Sequence, residues 1–211
     1  MALTDPLDDD GLDELLVADI DVDANFVWQP RTQPAPTIQA HRHRPIRRRQ
    51  EDHRHRGILA GQLDPMPAPG ESIDIILPGS VALGDVLWHI VDNIHQPGPL
   101  RVSTLGFGRR WVAGLVDRLR SGQITEARIA CSDYFARSDA AEFLDAQQAL
   151  AGWPVTLRAG RTHAKVAVYG HIAMAGSANL RSCRSIENVT VTNNPALADW
   201  HRRWINDLTS P

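Results

Sequence analysis

From Ser72 onward, short β-branched and apolar runs alternate with stretches that repeat apolar residues at helical spacing, and Gly, Pro or Ser punctuates the joints. That alternation is the strongest constraint in the chain. Strands interleaved with amphipathic helices bury their apolar faces best as a layered α/β sheet. "SIDIIL" predicts a strand ended by Pro78 and Gly79, with Ser80 capping a helix over about 81–94. "LRVSTLG" predicts a buried strand, then a Gly106-Phe107-Gly108 turn and a helix over 109–120. "EARIAC" is a third strand, and "SDAAEFLDAQQALAG" a third helix with Ser138 as its cap. "PVTLRA", "HAKVAVY", "HIAMAG" and "IENVTVT" add strands, with a turn at Gly170-His171. "PALADWHRRWINDL" closes as a helix with Pro195 at its first position. A βαβαβα start followed by a strand-rich second half implies an α/β fold with a mixed β-sheet and helices on both faces.

Residues 1–70 have a different texture and are expected to be largely disordered tail and linker, leaving 71–211 as the folded domain. Nine acidic residues and no basic one occupy residues 1–30, followed by the Pro-rich "WQPRTQPAPT". Seven Arg and four His then crowd "HRHRPIRRRQEDHRHR" at 41–56, and "GQLDPMPAPGES" forms a linker. From Ser72 on, 14 basic side chains face 12 acidic ones, so the charge asymmetry belongs to the tail. The Arg/His block reads either as a phosphate-tracking arm or as a solvated run folding back on the acidic residues. Zinc on its His-Arg pairs is opposed by the adjacent arginine charge. The acidic N-terminus lacks the apolar core of a secretory signal, and no apolar run reaches the length of a membrane span. The chain therefore reads as cytoplasmic, with no membrane partner.

Chemistry concentrates in "RTHAKVAVYGHIAMAGSANLRS", residues 161–182. Lys165 is the only lysine in the chain, among 22 Lys and Arg. An Arg-biased composition spares a lysine where a compact ammonium must meet one oxygen in a tight place, since a guanidinium is wider and planar. On a strand His163 and Lys165 share a face. Downstream, Gly176 is suited to bring backbone N–H groups close to a ligand, Ser177 and Asn179 carry side-chain donors, and Glu187 precedes the apolar "NVTVT". An imidazole with several donors and no metal-ligand set suits attack on a phosphoryl group, the donors holding its oxygens as charge builds. Cys131 and Cys183 form no disulfide framework and read as small buried side chains. Ser177 lacks the Gly-x-Ser-x-Gly elbow of a serine hydrolase, and His171 reads as a solvated turn residue. The Gly-rich turn at 106–108 places Arg109 and Arg110 at a helix start, where they are candidates for substrate contact.

At His163-Ala164-Lys165 and Gly176-Ser177-Ala178-Asn179 the sequence resembles the phospholipase D superfamily, whose motif runs H-x-K-x4-D-x6-G-S-x-N. The resemblance covers residues 72–211, the length of a single-motif member such as the small bacterial endonucleases of the group. It implies that His163 is the nucleophile and forms a phosphohistidine, that Lys165 and Asn179 bind phosphate, and that Ser177 supports the pocket. Glu187 looks like the family's downstream acidic residue, which hydrogen-bonds and orients the His. Two departures stand out: Gly170 occupies the motif's Asp position, and the spacing to Gly176 is one residue short. The family's reaction uses two histidines, so a single-motif chain is implied to act as a homodimer with both His163 rings at the interface.

The resemblance thus implies a metal-independent phosphodiesterase without cofactors, and single-motif length and Arg density point to DNA or RNA as substrate. A catalytically weak or inactive nucleic-acid-binding protein of the same fold is the alternative. A phospholipid hydrolase ranks third, since no amphipathic surface segment suggests docking to a membrane.

Overall fold

The computed structural model describes residues 57, 59–77, 81–181 and 185–210. The acidic, Pro-rich and Arg/His-rich segments, Ser80 and Cys183 lie outside the described residues. Seven strands form one mixed sheet: β1 (Ser72–Leu77), β2 (Gly98–Thr104), β3 (Ile124–Ser132), β4 (Val155–Gly160), β5 (Val166–Tyr169), β6 (Ile172–Gly176) and β7 (Glu187–Asn193). Their order is β1-β7-β6-β5-β2-β3-β4. The helices are α1 (Leu83–Asn93), α2 (Arg109–Arg120), α3 (Asp133–Ser138), α4 (Ala140–Leu150) and α5 (Pro195–Thr209).

β2, β3 and β4 run parallel, joined through α2 and through the α3–α4 pair, while the other four strands pair antiparallel. The two halves reflect connection length, because parallel neighbours need a crossover whereas β5 and β6 need only a two-residue turn. Alternation along β5 separates two cores. Ala167 and Tyr169 enter the large cluster with Val86, Leu87, Leu115 and Phe135. Val166 and Val168 enter a smaller one with Ala198 and Ile205 of α5. Helices therefore cover both faces, as the apolar pattern requires. Across the large core runs an aromatic chain, with Trp88 stacked on Trp111, Trp111 beside Phe107, and Phe107 edge-on to Phe135.

Several local expectations are corrected. The linker expected through residue 70 is ordered from Leu59: residues 59–63 are helical, and Leu59 and Leu63 are buried in the large core. Asn193 Nδ2 donates to the Pro67 carbonyl at 2.8 Å, tying that segment to β7. α1 starts two residues later than expected; its N-cap is Ala82, whose N–H donates to the Asp85 carboxylate at 2.9 Å. Ser138 ends α3 rather than capping α4. The helix capped by serine is α3, where Ser132 Oγ accepts from Phe135 N at 3.0 Å. A serine at the joint between a strand and a helix can satisfy the first turn, and Ser132 at the end of β3 does so here. Cys131 is buried as expected, its thiol pushed up to about 12 mainly by desolvation. Among the described residues no helix is long and apolar enough to cross a membrane.

Candidate active site

The register brings the chemistry-bearing residues to one end of the sheet. Ser103 near the end of β2 pairs with Val166 at the start of β5, and Val166 pairs with Ala175 near the end of β6. Gly176, the last residue of β6, pairs with Val189 near the start of β7. His163 and Lys165, the Gly176–Asn179 segment and Glu187 thus lie at strand ends that adjoin each other. The segment 162–165 is not part of the ladder, which begins at Val166. It is held instead by Thr162, whose hydroxyl bonds Ser103 Oγ at 2.7 Å and accepts from Ala164 N at 3.3 Å.

His163 and Lys165 do converge. The Lys165 Nζ lies 2.9 Å from Nδ1 and 3.3 Å from Nε2 of His163, and donates to the His163 carbonyl at 2.8 Å. Lys165 is only 8% exposed, whereas His163 is exposed. Burial pulls the lysine's pKa below its ordinary value, and the nearby Glu187 charge opposes that pull. A buried ammonium resting on an exposed imidazole is a charge held ready against a ring that solvent, or substrate, reaches freely.

Ser177 Oγ donates to the Glu187 carboxylate and accepts from Asn188 N at 3.1 Å. These bonds lock the loop after β6 onto β7. The bond from Glu187 to His163 that the resemblance implies is not found among the described residues; Glu187 holds Ser177 instead. The side chain of Asn179 has a buried Oδ1 without a hydrogen-bond partner, and its backbone carbonyl accepts from Leu83 N at 3.0 Å, tying the loop to the start of α1. That oxygen can only accept a hydrogen bond, so any contact of Asn179 with an anionic oxygen would fall to its Nδ2 donor.

Gly176 serves differently from expectation. Its N–H goes to the Lys165 carbonyl at 3.2 Å, and Ser177 N goes to the Asn188 carbonyl at 3.0 Å, so neither backbone donor is offered outward. What the position needs is the absence of a side chain: a Cβ there would sit 2.1 Å from the Asn188 carbonyl oxygen. Gly170 is also explained. It has φ +56° in the turn between Tyr169 and Ile172, a conformation that favours glycine. That turn closes the end of β5 opposite to His163, three strand steps or roughly 10 Å beyond Val166. His171 beside it is exposed, as expected.

Arg109 and Arg110 start α2, in the turn that follows β2, but their guanidiniums are engaged: Arg109 with Asp145 at 2.7 Å and Arg110 with Asp85 at 3.0 Å. The N-terminus of α2 is capped in turn by Glu142, whose carboxylate accepts from Arg109 N at 3.1 Å. The structure therefore gathers His163, Lys165, Ser177 and Glu187, seats Asn179 on the same loop, and ties the two arginines elsewhere. Sequence reasoning missed Thr162, whose hydroxyl anchors the segment carrying the histidine; a Thr immediately before His163 was the available signal. Among the described residues no three His, Cys, Asp or Glu side chains gather where they could hold a metal ion.

No family model matches the sequence, and no curated protein matches it. The fold does match solved structures. Nuc, a phospholipase D family member from Salmonella typhimurium, aligns at TM-score 0.51 with 18% identity over 65% of this chain and 92% of that one. NucT from Helicobacter pylori aligns at TM-score 0.50 with 18% identity over 65% and 94%. The phosphatidylserine synthase of Haemophilus influenzae Rd KW20 aligns at TM-score 0.51 with 16% identity over 69% of this chain and 40% of that one. The architecture of this chain is thus a phospholipase D-like α/β fold.

Proposed function

We propose that the chain is a metal-independent phosphodiesterase, a nuclease acting on DNA or RNA as a homodimer through a phosphohistidine. The observation that carries this reading is Lys165: a desolvated ammonium 2.9 Å from an exposed imidazole, in a phospholipase D-like fold. In the proposed reaction a ring nitrogen of His163 bonds to phosphorus as the bond to the leaving oxygen breaks. The His163 of a second copy gives that oxygen its proton, and water then releases the phosphoryl group from the ring. Lys165 and Asn179 hold the non-bridging oxygens, where charge builds. Two exposed isoleucines support the dimer. Ile76 is 62% and Ile186 76% exposed. They flank Glu187 at the candidate site, since Leu77 pairs with Glu187 and Ile76 with Asn188.

The test is incubation of purified protein with single- and double-stranded DNA and RNA in excess EDTA. Cleavage that persists in chelator, disappears in His163→Ala, and leaves a substrate-linked phosphoryl group trapped on His163 after quenching in alkaline denaturant is the expected result. Activity that vanishes in EDTA and returns with magnesium overturns it. One observation favours a second reading, a nucleic-acid-binding protein without turnover: the N–H groups of Gly176 and Ser177 are spent within the sheet, leaving fewer donors for a transition state. Salt-steep binding with no trapped phosphohistidine would select that reading.

A further inference from the structure

Beside His163 lies a group of side chains that neither the motif nor the proposed reaction uses. β3 ends at Ser132, which pairs with Gly160 at the end of β4. Two residues past Ser132 the chain presents Tyr134, 63% exposed, on the first turn of α3. One residue past Gly160 it presents Arg161, and His163 follows two residues later. Arg137 stands three residues after Tyr134, on the same face of α3. Arg158 stands two residues before Gly160 on the edge strand. α3 packs beside β3 and β4 on the face that Leu157 enters, so Tyr134, Arg137 and Arg161 stand where these two strands end, while Arg158, which alternates with Leu157, projects from the opposite face.

The guanidiniums of these arginines are open. Arg137, Arg158 and Arg161 are exposed, and none has a side-chain hydrogen bond or ion pair among the described residues. Arg128 and Arg203 also lack a side-chain partner among the described residues, whereas Arg101, Arg109, Arg110, Arg118, Arg120, Arg181 and Arg202 all hold a carboxylate. The one carboxylate on α3 itself is Asp133. An exposed tyrosine also costs a soluble surface something, and here nothing among the described residues covers it.

We infer that Tyr134, Arg137 and Arg161 form a track for single-stranded nucleic acid leading to His163: Tyr134 stacks on an unpaired base, and the two arginines follow the phosphates. This deepens the proposed function and rests on it. A duplex keeps its bases stacked inside, so an aromatic platform selects for single strands, and open guanidiniums give affinity without reading sequence.

The experiment uses full-length His163→Ala protein and fluorescence anisotropy on labelled oligo-dT, oligo-rU and a duplex of equal length. Tyr134→Ala is expected to weaken single-strand binding about tenfold, in line with the loss of one stacked base, and to leave duplex binding unchanged. Tyr134→Phe keeps the ring and is expected to bind like its parent. Replacing Arg137 and Arg161 together by Gln is expected to flatten the slope of log affinity against log salt by roughly 1.4, about 0.7 for each phosphate no longer neutralised. All three positions are exposed, so circular dichroism and the unfolding midpoint should not move. Unchanged single-strand affinity and slope in both variants overturn the inference, as does equal weakening on duplex. Failure of the proposed reaction shows separately, in the chelator assay on the parent protein.

Discussion

Two charged regions of this fold are built on opposite terms. Between α1, α2 and residues 59–64 lies a groove of about 600 Å³, and its charges are matched. Arg110 meets Asp85, Arg118 grips both carboxylate oxygens of Asp92 at 2.8 and 2.9 Å, and His89 lies 3.4 Å from Asp64. Arg118 also lies over the Trp88 ring, 4.3 Å from its centroid. At the end of the sheet near His163 the terms reverse. Lys165 is buried against an imidazole and a carbonyl, and Arg137 and Arg161 lack side-chain partners among the described residues. A sizeable cavity is a usual first place to look for a site, yet here charge pairing distinguishes the regions better than volume. Matched charges hold elements together; unmatched ones leave part of their interaction energy for a ligand.

The sharpest way to break this contrast is to remove the unmatched ammonium. Lys165→Ala is expected to lower the cleavage rate by about 10²–10³-fold, the loss seen when one preorganised donor to developing charge is deleted. Stability should hold or rise, because a desolvated charge leaves with the side chain. Initial rates in chelator and a urea midpoint on the same preparation check both halves. A variant that is destabilised but fully active would mean that the lysine belongs with the matched, structural charges.

Next in size is Gly176→Ala. The new Cβ would meet the Asn188 carbonyl, a backbone atom that moves only if β6 and β7 separate. Overpacking of this kind costs about 1–3 kcal/mol. The larger consequence falls on the Ser177–Glu187 bond, where a shift near 1 Å suffices for roughly a 10²-fold loss of rate. Rates and thermal midpoints should fall together, in contrast with Lys165→Ala.

Much of this was legible in advance, and what was missed follows a pattern. The strands and α2 were readable because period-2 and period-3.6 repeats report which face is buried. The two cores divided by Val166, Ala167, Val168 and Tyr169 are the outcome of that pattern. The pair His163 and Lys165 was readable because two residues on an extended chain share a side even without a ladder. Less legible was anything decided by a partner distant in sequence. Leu59 and Leu63 sit in a Pro- and Gly-rich stretch, and only the core they enter reveals that they are ordered. Gly176 and Gly170 each carried a signal, but one serves a close approach to β7 and the other a turn, and only the sheet register separates these reasons. The engagement of Arg109 and Arg110 depended on Asp145 and Asp85, which local spacing does not bring near.

In the matched groove the opposite outcome is expected. Arg118→Ala removes a side chain only 12% exposed, its bidentate pair with Asp92, its bond to the Gly114 carbonyl and its stacking on Trp88. Because Asp92 remains 38% exposed and recovers water, the loss should be about 1–3 kcal/mol rather than that of a fully buried pair. Cleavage per folded molecule should not change. A urea titration reads the first and a rate normalised to folded fraction the second. Lost turnover with unchanged stability would move this groove into the functional machinery.

The smallest expected effect, and the one that separates the two kinds of charge most finely, is on pH dependence. Lys165 has its pKa lowered by burial, so on raising the pH the folded state releases this proton before the unfolded state does. Between the lowered value and the ordinary 10.5, the unfolded chain binds more protons, and stability therefore rises with pH through that window. Compared with Lys165→Met, the native chain should gain stability as the pH climbs, and any advantage of the methionine at neutral pH should shrink. Arg118→Met has no such window, because a guanidinium keeps its proton throughout, so its deficit should stay flat over the same range. Parallel denaturant titrations of the three proteins at stepped alkaline pH give the two differences directly. Equal slopes for both variants would show that Lys165 is solvated like any surface lysine, and the contrast between the two regions would fail at its central residue.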